Sequence, residues 1–482
     1  MQRLPKIFQR IALVAAWLVA GHAGAQSSMA PIFQLPDTSS AFSIDAFYRI
    51  ILDHHPVVKQ AELLTEAAQQ EIRLARGSFD PKLEFSLERK ESKGKTYYDL
   101  QTGQLYFPTR SPITPKIGYE QNRGEELDPS KFIPGDVQYF AGFNLPIGRG
   151  LFTDERRTAL RQAQLFQNLA EAEQVKMINK ILLEAAKDYW AWYHAYYNFR
   201  LMNQGADIAH EIFRRVKLNA QLGEAAPLDT VQAKITLQTR LVERQEALLQ
   251  FQNSGILLSN YLWDENANPL QLSPRLAPVV DTTTISLDLQ VLSNLADQAR
   301  TNHPELLKLR AKMGQLEADR FLAREFLKPK LDLNYSMLAL PSEVGSVSPT
   351  ADYKLGVDFS MPLFLRKERS KLALTNIKIR NTNWQQSQAE REIINEINTT
   401  FNDLTNTQVI LGQQTEMVDL YDRLLRGELV NLENGESDLF KINIQQEKLI
   451  QSQSKLLKLK ADFEKNKAQL YWAAGTPNLG LR

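Results

Sequence analysis

In residues 137–145, apolar Val137, Tyr139, Ala141, Phe143 and Leu145 alternate with Gln138, Gly142 and Asn144, and Phe140 is the one exception. A period of two predicts a strand with one oily and one wetter face. Pro146, Gly148 and Gly150 end it. Residues 154–222 then contain no proline and a single glycine, Gly205. They predict one unbroken helix of roughly 100 Å at about 1.5 Å per residue. Along it Val175, Ile178, Leu182, Ala185, Tyr189, Trp192, Tyr196 and Phe199 recur at alternating spacings of three and four. Such a seam supercoils against neighbouring helices.

Upstream, residues 44–77 predict a helix with Ala61, Leu64, Ala68, Ile72 and Ala75 on one face and Pro56 near its start. Leu83, Phe85 and Leu87 then alternate with Lys82, Glu84, Ser86 and Glu88, which predicts a strand. Residues 90–136, with Pro108, Pro112, Pro115, Pro129 and Pro134, are the least legible. Strand-like runs at 97–107 and 113–119 leave two possibilities, an external loop or a further hairpin. Gly223 closes the long helix, residues 228–262 predict a second one, and residues 266–288 read as a linker.

The same order then returns. Asn302-His303-Pro304 echoes His54-His55-Pro56, and Pro329-Lys330-Leu331 echoes Pro81-Lys82-Leu83, both at an offset of 248 residues. Leu331, Leu333, Tyr335 and Met337 alternate with polar residues, as do Tyr353, Leu355, Val357, Phe359 and Met361. Pro362 matches Pro146, a long helix with Ile393, Ile397, Leu404 and Leu411 on its seam follows, and Gly435 matches Gly223. This is a tandem duplication. The expected organisation is a leader (1–25), a first repeat (26–265), a linker (266–288), a second repeat (289–475) and a tail (476–482). The lengths predict two short helices stacked end to end against each long one, with strands at one end of the rod and the Gly223 and Gly435 turns at the other.

Four strands with one oily face cannot close a barrel alone, and open edges inside a bilayer leave backbone groups unsatisfied. Two copies would give eight strands; three would give twelve, with room for a lumen. The inward set implied by the alternation is polar: Lys82, Glu84, Glu88, Asn144, Lys330, Asp332, Lys354 and Asp358. It suits a wet interior.

Composition narrows the setting. Arg3, Lys6 and Arg10, an apolar stretch at 11–20 and Ala23-Gly24-Ala25 predict a secretory leader. No later segment is apolar for long enough to make a spanning helix. The absence of cysteine removes disulfides, thiolate metal sites and a lipid anchor after the leader. A net charge of +1 without a long basic run argues against nucleic acid as a partner.

Over essentially the whole mature chain, the sequence resembles the TolC-like outer-membrane efflux protein (outer membrane factor) family. The residues that carry the resemblance are the His-Pro starts at Pro56 and Pro304, the strand entries at Pro81 and Pro329, and the strand ends at Pro146 and Pro362. The turns at Gly223 and Gly435 and the terminal Leu470-Tyr471-Trp472-Ala473-Ala474-Gly475 complete the set. The resemblance implies a mainly α fold with a β-barrel portion: long antiparallel coiled-coil helices in tandem repeat, four transmembrane strands per protomer and a homotrimeric α/β-barrel channel. It also implies a passive exit duct, for a tripartite efflux pump or type I secretion system, that sits in outer-membrane lipid with a large periplasmic part. The partners would be a periplasmic adaptor (membrane fusion) protein and an inner-membrane pump.

The residues expected to dock the adaptor are Leu222, Gly223 and Glu224 with Asn434, Gly435 and Glu436, because a turn that needs glycine presents backbone at the rod's end. Family members often carry acidic residues six and nine positions after the turn glycine. Here Asp229 and Gln232 occupy those places in one turn, and Lys441 and Ile444 in the other. An Asp229–Lys441 pair is therefore the candidate gate, and Glu84, Glu88, Asp332 and Asp358 are the candidate lumen-facing strand residues. The aromatic run from Tyr189 to Phe199 lies on a helical seam and reads as packing. His54 and His55 are adjacent and make a poor metal pair. Gly148-Arg149-Gly150 lacks the remainder of a dinucleotide fingerprint, and no phosphate loop or zinc-protease motif occurs. Neither cofactor nor enzymatic activity is expected. The rival from another class is a periplasmic coiled-coil spacer without a pore.

Overall fold

The computed structural model describes residues 40–223, 226–273, 275–279, 289–342, 348–434 and 436–480. The expected leader and the docking residues Glu224 and Gly435 lie outside them. Two helices of 68 residues dominate, α3 (Glu155–Leu222) and α7 (Arg366–Glu433). Asp154 caps α3 by accepting the Arg157 N–H at 2.8 Å, and Gly223 ends it in the left-handed conformation at φ 79°.

Shorter helices flank them: α1 (Ile44–His54), α2 (Pro56–Gly77) and α4 (Pro227–Ser259) in the first half, α5 (Leu289–Asn302), α6 (Pro304–Glu325) and α8 (Leu439–Ala473) in the second. α2 and α6 have 22 residues each. Residues 44–77 are therefore two helices, where the periodicity suggested one. Proline keeps the residue before it out of the helical region, and His55 and His303 sit at ψ 131° and 129°. Each histidine then serves as the N-cap of the next helix, with Nδ1 accepting the N–H two residues on, at 3.1 and 3.2 Å.

α3 packs against α2 and α4 on one flank and against α6 and α8 on the other. α7 packs against α5, α6 and α8. The short helices are thus stacked along the long ones as their lengths suggested. Where they meet, Phe42, Phe47, Tyr189, Trp192, Tyr196 and Phe251 form one buried cluster. The Tyr189 hydroxyl donates to the Phe42 carbonyl at 2.6 Å. This ties the parallel pair β1 (Ser40–Phe42) and β6 (Leu276–Pro278) to the rod.

At one end lies an antiparallel sheet of six strands, in the order β2 (Lys82–Ser92), β3 (Lys95–Tyr106), β4 (Thr114–Arg123), β5 (Val137–Pro146), β7 (Lys330–Ala339), β8 (Tyr353–Ser360). The four expected strands are β2, β5, β7 and β8. The count is corrected to six, because residues 90–136 supply the hairpin β3–β4 within the sheet. Prolines and a diluted alternation hid it: Pro115 sits inside β4 opposite Phe143, while Asp99, Gln101 and Gly103 interrupt the apolar positions of β3. Among the described residues no helix is long and apolar enough to cross a membrane.

Candidate functional site

Register assigns every strand residue to a face. One row runs Leu83, Leu105, Ile117, Ala141, Met337, Tyr353 across all six strands. Its residues are apolar, with Leu105 and Met337 half-buried and the rest open: Leu83 is 79% exposed, Val357 on the same face 61% and Phe359 67%. The opposite face carries Lys82, Tyr106, Lys116, Gly142, Ser336 and Lys354 in one row, and Glu84, Gln104, Gly118, Phe140 and Leu338 in the next. Phe140 and Ser336 are buried on that polar face although no described element of the chain is laid over it. A sheet curled toward its polar side accounts for this.

All four lumen candidates lie on this one face. Glu84 faces Gln104 across the ladder and accepts from its amide at 3.4 Å, and Glu88 pairs with Leu100 in register. Asp332 and Asp358 stand directly opposite each other, which would repel. Lys330 lies 3.2 Å from Asp332, and Asn334 donates to Asp358 at 2.8 Å while accepting from Asn144 at 2.7 Å. The charges of Asp332 and Asp358 are thus answered locally. Lys354 and Glu120, 3.8 Å apart, repeat the pattern.

Between sheet and helices lies a junction that no periodicity marks. The Glu325 side chain, 4% exposed at the end of α6, accepts the Gly150 and Phe152 N–H groups at 3.2 and 3.4 Å and pairs with Lys328 at 2.7 Å. Arg149 stacks over the Phe326 ring at 3.5 Å. Partners more than 170 residues apart leave no local signal; the only hint was the pair of glycines in Gly148-Arg149-Gly150.

At the far end, Gly223 and Leu222 are exposed, as are Asn434 and Glu436. Asp229 and Gln232 line a groove of about 810 Å³ with Arg215, Asp438, Phe440 and Asn443. Lys441 and Ile444 are outside that lining. Asp229 accepts its own helix's Ala226 N–H at 3.2 Å, and Lys441 donates its N–H to Asp438 at 2.9 Å. Among the described residues Asp229 and Lys441 form no ion pair within one protomer. No group of three metal-capable side chains occurs among them either.

A sequence profile described as outer membrane efflux protein matches residues 47–262 and 295–476. The chain belongs to the outer membrane efflux protein family. That family is one of outer-membrane efflux ducts and not of enzymes. No curated protein sequence matches the chain. Similar solved structures include the Campylobacter jejuni CmeC outer membrane channel, at TM-score 0.62 and 14% identity over 90% of this chain and 85% of that one. The Vibrio cholerae outer membrane protein VceC aligns at 0.63 and 15% identity, covering 90% and 96%. The open state of the Neisseria gonorrhoeae MtrE outer membrane channel aligns at 0.61 and 12%, covering 90% and 88%. At these identities the likeness is one of fold.

Proposed function

We propose that three copies stand side by side as one hollow cylinder, which crosses the outer membrane through its sheets and extends into the periplasm through its helices. The number three is what the family resemblance implies. The observation that carries the ring is how the two halves of the chain meet. α3, the long helix of the first half, packs on α6 and α8 of the second. By the duplication, α7 then presents the corresponding flank to α2 and α4 of a neighbouring copy. Those surfaces are oily and uncovered in one protomer: Leu374, Ile377, Trp384, Met417 and Leu420 on α7, Leu63 and Leu74 on α2, Val231, Ile235 and Val242 on α4. Among the described residues the sheet edges β2 and β8 are also unpaired, and because they run in opposite directions, β8 of one copy and β2 of the next extend the antiparallel ladder. A stand-alone spacer has no use for either feature.

The cylinder works as the passive exit duct of a tripartite efflux pump or type I secretion system. Glu84, Glu88, Asp332 and Asp358 face its aqueous lumen, and no bond is made or broken in the chain. Leu222, Gly223 and Glu224 with Asn434, Gly435 and Glu436 form the tip that meets the adaptor. Asp229 of one copy and Lys441 of another hold the resting entrance shut.

The test replaces Gly223 and Gly435 together by leucine. A Cβ at Gly223 meets nothing within 4 Å, so the added bulk points outward and the strain is about 1–2 kcal/mol. Outer-membrane fractionation and trimer mobility should survive while export is lost. Continued export from such a double variant refutes the docking role; release of the unaltered protein by osmotic shock refutes the duct.

A further inference from the structure

The hairpin β3–β4 is the part of the sheet that the duplication does not explain. Pro81 and Pro146 are 65 residues apart, whereas Pro329 and Pro362 are 33 apart. The extra chain is nonetheless built as wall. β3 is laddered to β2 and β4, and β4 to β5, so the hairpin lies between the two strands the repeat predicts and separates them. It continues both faces, with Leu105 and Ile117 on the oily row and Tyr106 and Lys116 on the polar one. On the polar side a Cβ at Gly118 would strike the Gly103 carbonyl and come within 2.6 Å of the Phe140 ring. The ladder there is drawn in as tightly as at Gly142, where a Cβ would strike Tyr335 and Ser336.

The hairpin also follows the stagger of the other strands. The oily row crosses β2 one residue from its helix-side end, β3 one, β4 three, β5 five, β7 seven and β8 seven. Six residues of climb in five steps give a tilt of about 40°, taking about 3.3 Å per residue and about 4.8 Å between strands. Closed barrels tilt by about 35–45°.

We propose that β3–β4 is a lipid-facing segment of the barrel, so that a three-copy ring contains eighteen strands instead of twelve. The inference rests on the ring reading above. Its backbone diameter is then about 36 Å, against about 24 Å for twelve strands at the same tilt, since diameter grows with strand number. The membrane section is thus a wide mouth with about twice the cross-section of a twelve-stranded one. Resistance to passage lies at the helical tip. The occupant of the oily face at Leu105 and Ile117 is lipid acyl chain, because that face is continuous with the exposed Leu83 and Val357 positions.

The chain has no native cysteine, so single nitroxide labels can be placed at will. The full-length protein, reconstituted in phosphatidylcholine vesicles, carries one label at Leu105, Ile117, Thr102 or Lys116, with Val357 and Lys354 as controls on β8. Collision with oxygen reports lipid, and collision with a nickel chelate reports water. The expected result is an oxygen-to-chelate ratio severalfold higher at Leu105, Ile117 and Val357 than at Thr102, Lys116 and Lys354. Alternation at the β8 controls with chelate access at both Leu105 and Ile117 overturns the wall assignment and leaves the ring standing. Loss of alternation at the controls overturns the ring and the hairpin assignment with it. A projection map of the trimer with twelve strands also overturns the proposal.

Discussion

Removal of the Glu325 carboxylate should loosen the joint between sheet and helices. Three groups converge on it: the N–H groups of Gly150 and Phe152, at 3.2 and 3.4 Å, and the Lys328 ammonium at 2.7 Å. The carboxylate is 4% exposed, whereas Lys328 is 41% exposed. In Glu325→Ala the ammonium can turn to water, so the full cost of about 3–5 kcal/mol for breaking a buried pair does not apply. The two N–H groups bond a charged acceptor in a partly buried setting, where each such bond contributes about 1.5–3 kcal/mol. Since both bonds are long, a total loss of about 2–4 kcal/mol is expected. Glu325→Gln keeps an oxygen that accepts from both N–H groups and should lose about 1 kcal/mol, the contribution of the partly exposed ion pair.

Urea unfolding in detergent, followed by circular dichroism, ranks the variants. Hydrogen exchange over residues 147–157 adds a local readout, because that segment should exchange faster in Glu325→Ala and stay protected in Glu325→Gln. The Arg157 guanidinium, which donates to the Leu151 and Phe152 carbonyls at 3.2 Å, holds the loop's other side in all variants. Equal stability of the alanine variant and the parent, or equal damage from glutamine and alanine, would falsify the acceptor role.

Three further outcomes follow from single contacts. Burial pushes the His303 imidazole down to about 4 from its usual 6.5, with nearby Glu305 opposing and Lys176 reinforcing the shift; the stability that its neutral form contributes is complete above pH 6.5 and lost as pH falls toward 4. His303→Asn keeps a cap for α6 without a titrating group, so its melting temperature should fall less across that window than the parent's. Tyr189→Phe removes the 2.6 Å bond to the Phe42 carbonyl and should cost about 1–2 kcal/mol, with faster limited proteolysis near residues 40–42; unchanged cleavage contradicts the tie. Asp229→Ala and Lys441→Ala should each raise single-channel conductance, and the double variant no further; unchanged conductance removes the gate.

What the sequence revealed depended on how local the cause was. The ends of α3 were legible because Asp154 and Gly223 act within one turn of the residues they cap. The strands β2, β5, β7 and β8 were legible because each carries its own alternation. β3 was not, because its oily row borrows from its neighbours: Gly103 has no side chain and lies under Tyr119 of β4. The breaks at His55 and His303 were visible as motifs but not as breaks. The proline that follows each accounts for the break, and the end of another helix beside it houses the ring: Gly475 leaves room for that of His303, and the Tyr261 and Trp263 rings lie 6.2 and 6.1 Å from His55. Register placed the four lumen candidates on one face, as alternation indicated, whereas the joint at Glu325 left only the glycine pair at Gly148 and Gly150 as a trace in the sequence.

The duplication also explains why the two seams of the proposed ring need different chemistry. Inside one protomer, the seam between α3 and α6 is polar and specific: Lys176 meets Glu305 at 2.6 Å, Lys308 meets Glu173 at 2.9 Å, Gln162 meets Asp319 at 2.8 Å, and Glu325 closes the top. These bonds are directional, and chain connectivity already holds their partners near each other. The corresponding seam between copies has Gly77 where Glu325 would stand, 248 residues earlier, and the segment just before α7 offers Leu363 and Phe364, 92% and 70% exposed. Non-directional apolar burial suits surfaces that meet as separate copies and then slide into register. A ring built this way has three stiff seams and three adaptable ones. In the proposed ring, opening at the tip would follow the seams between copies, where Asp229 and Lys441 would have to part.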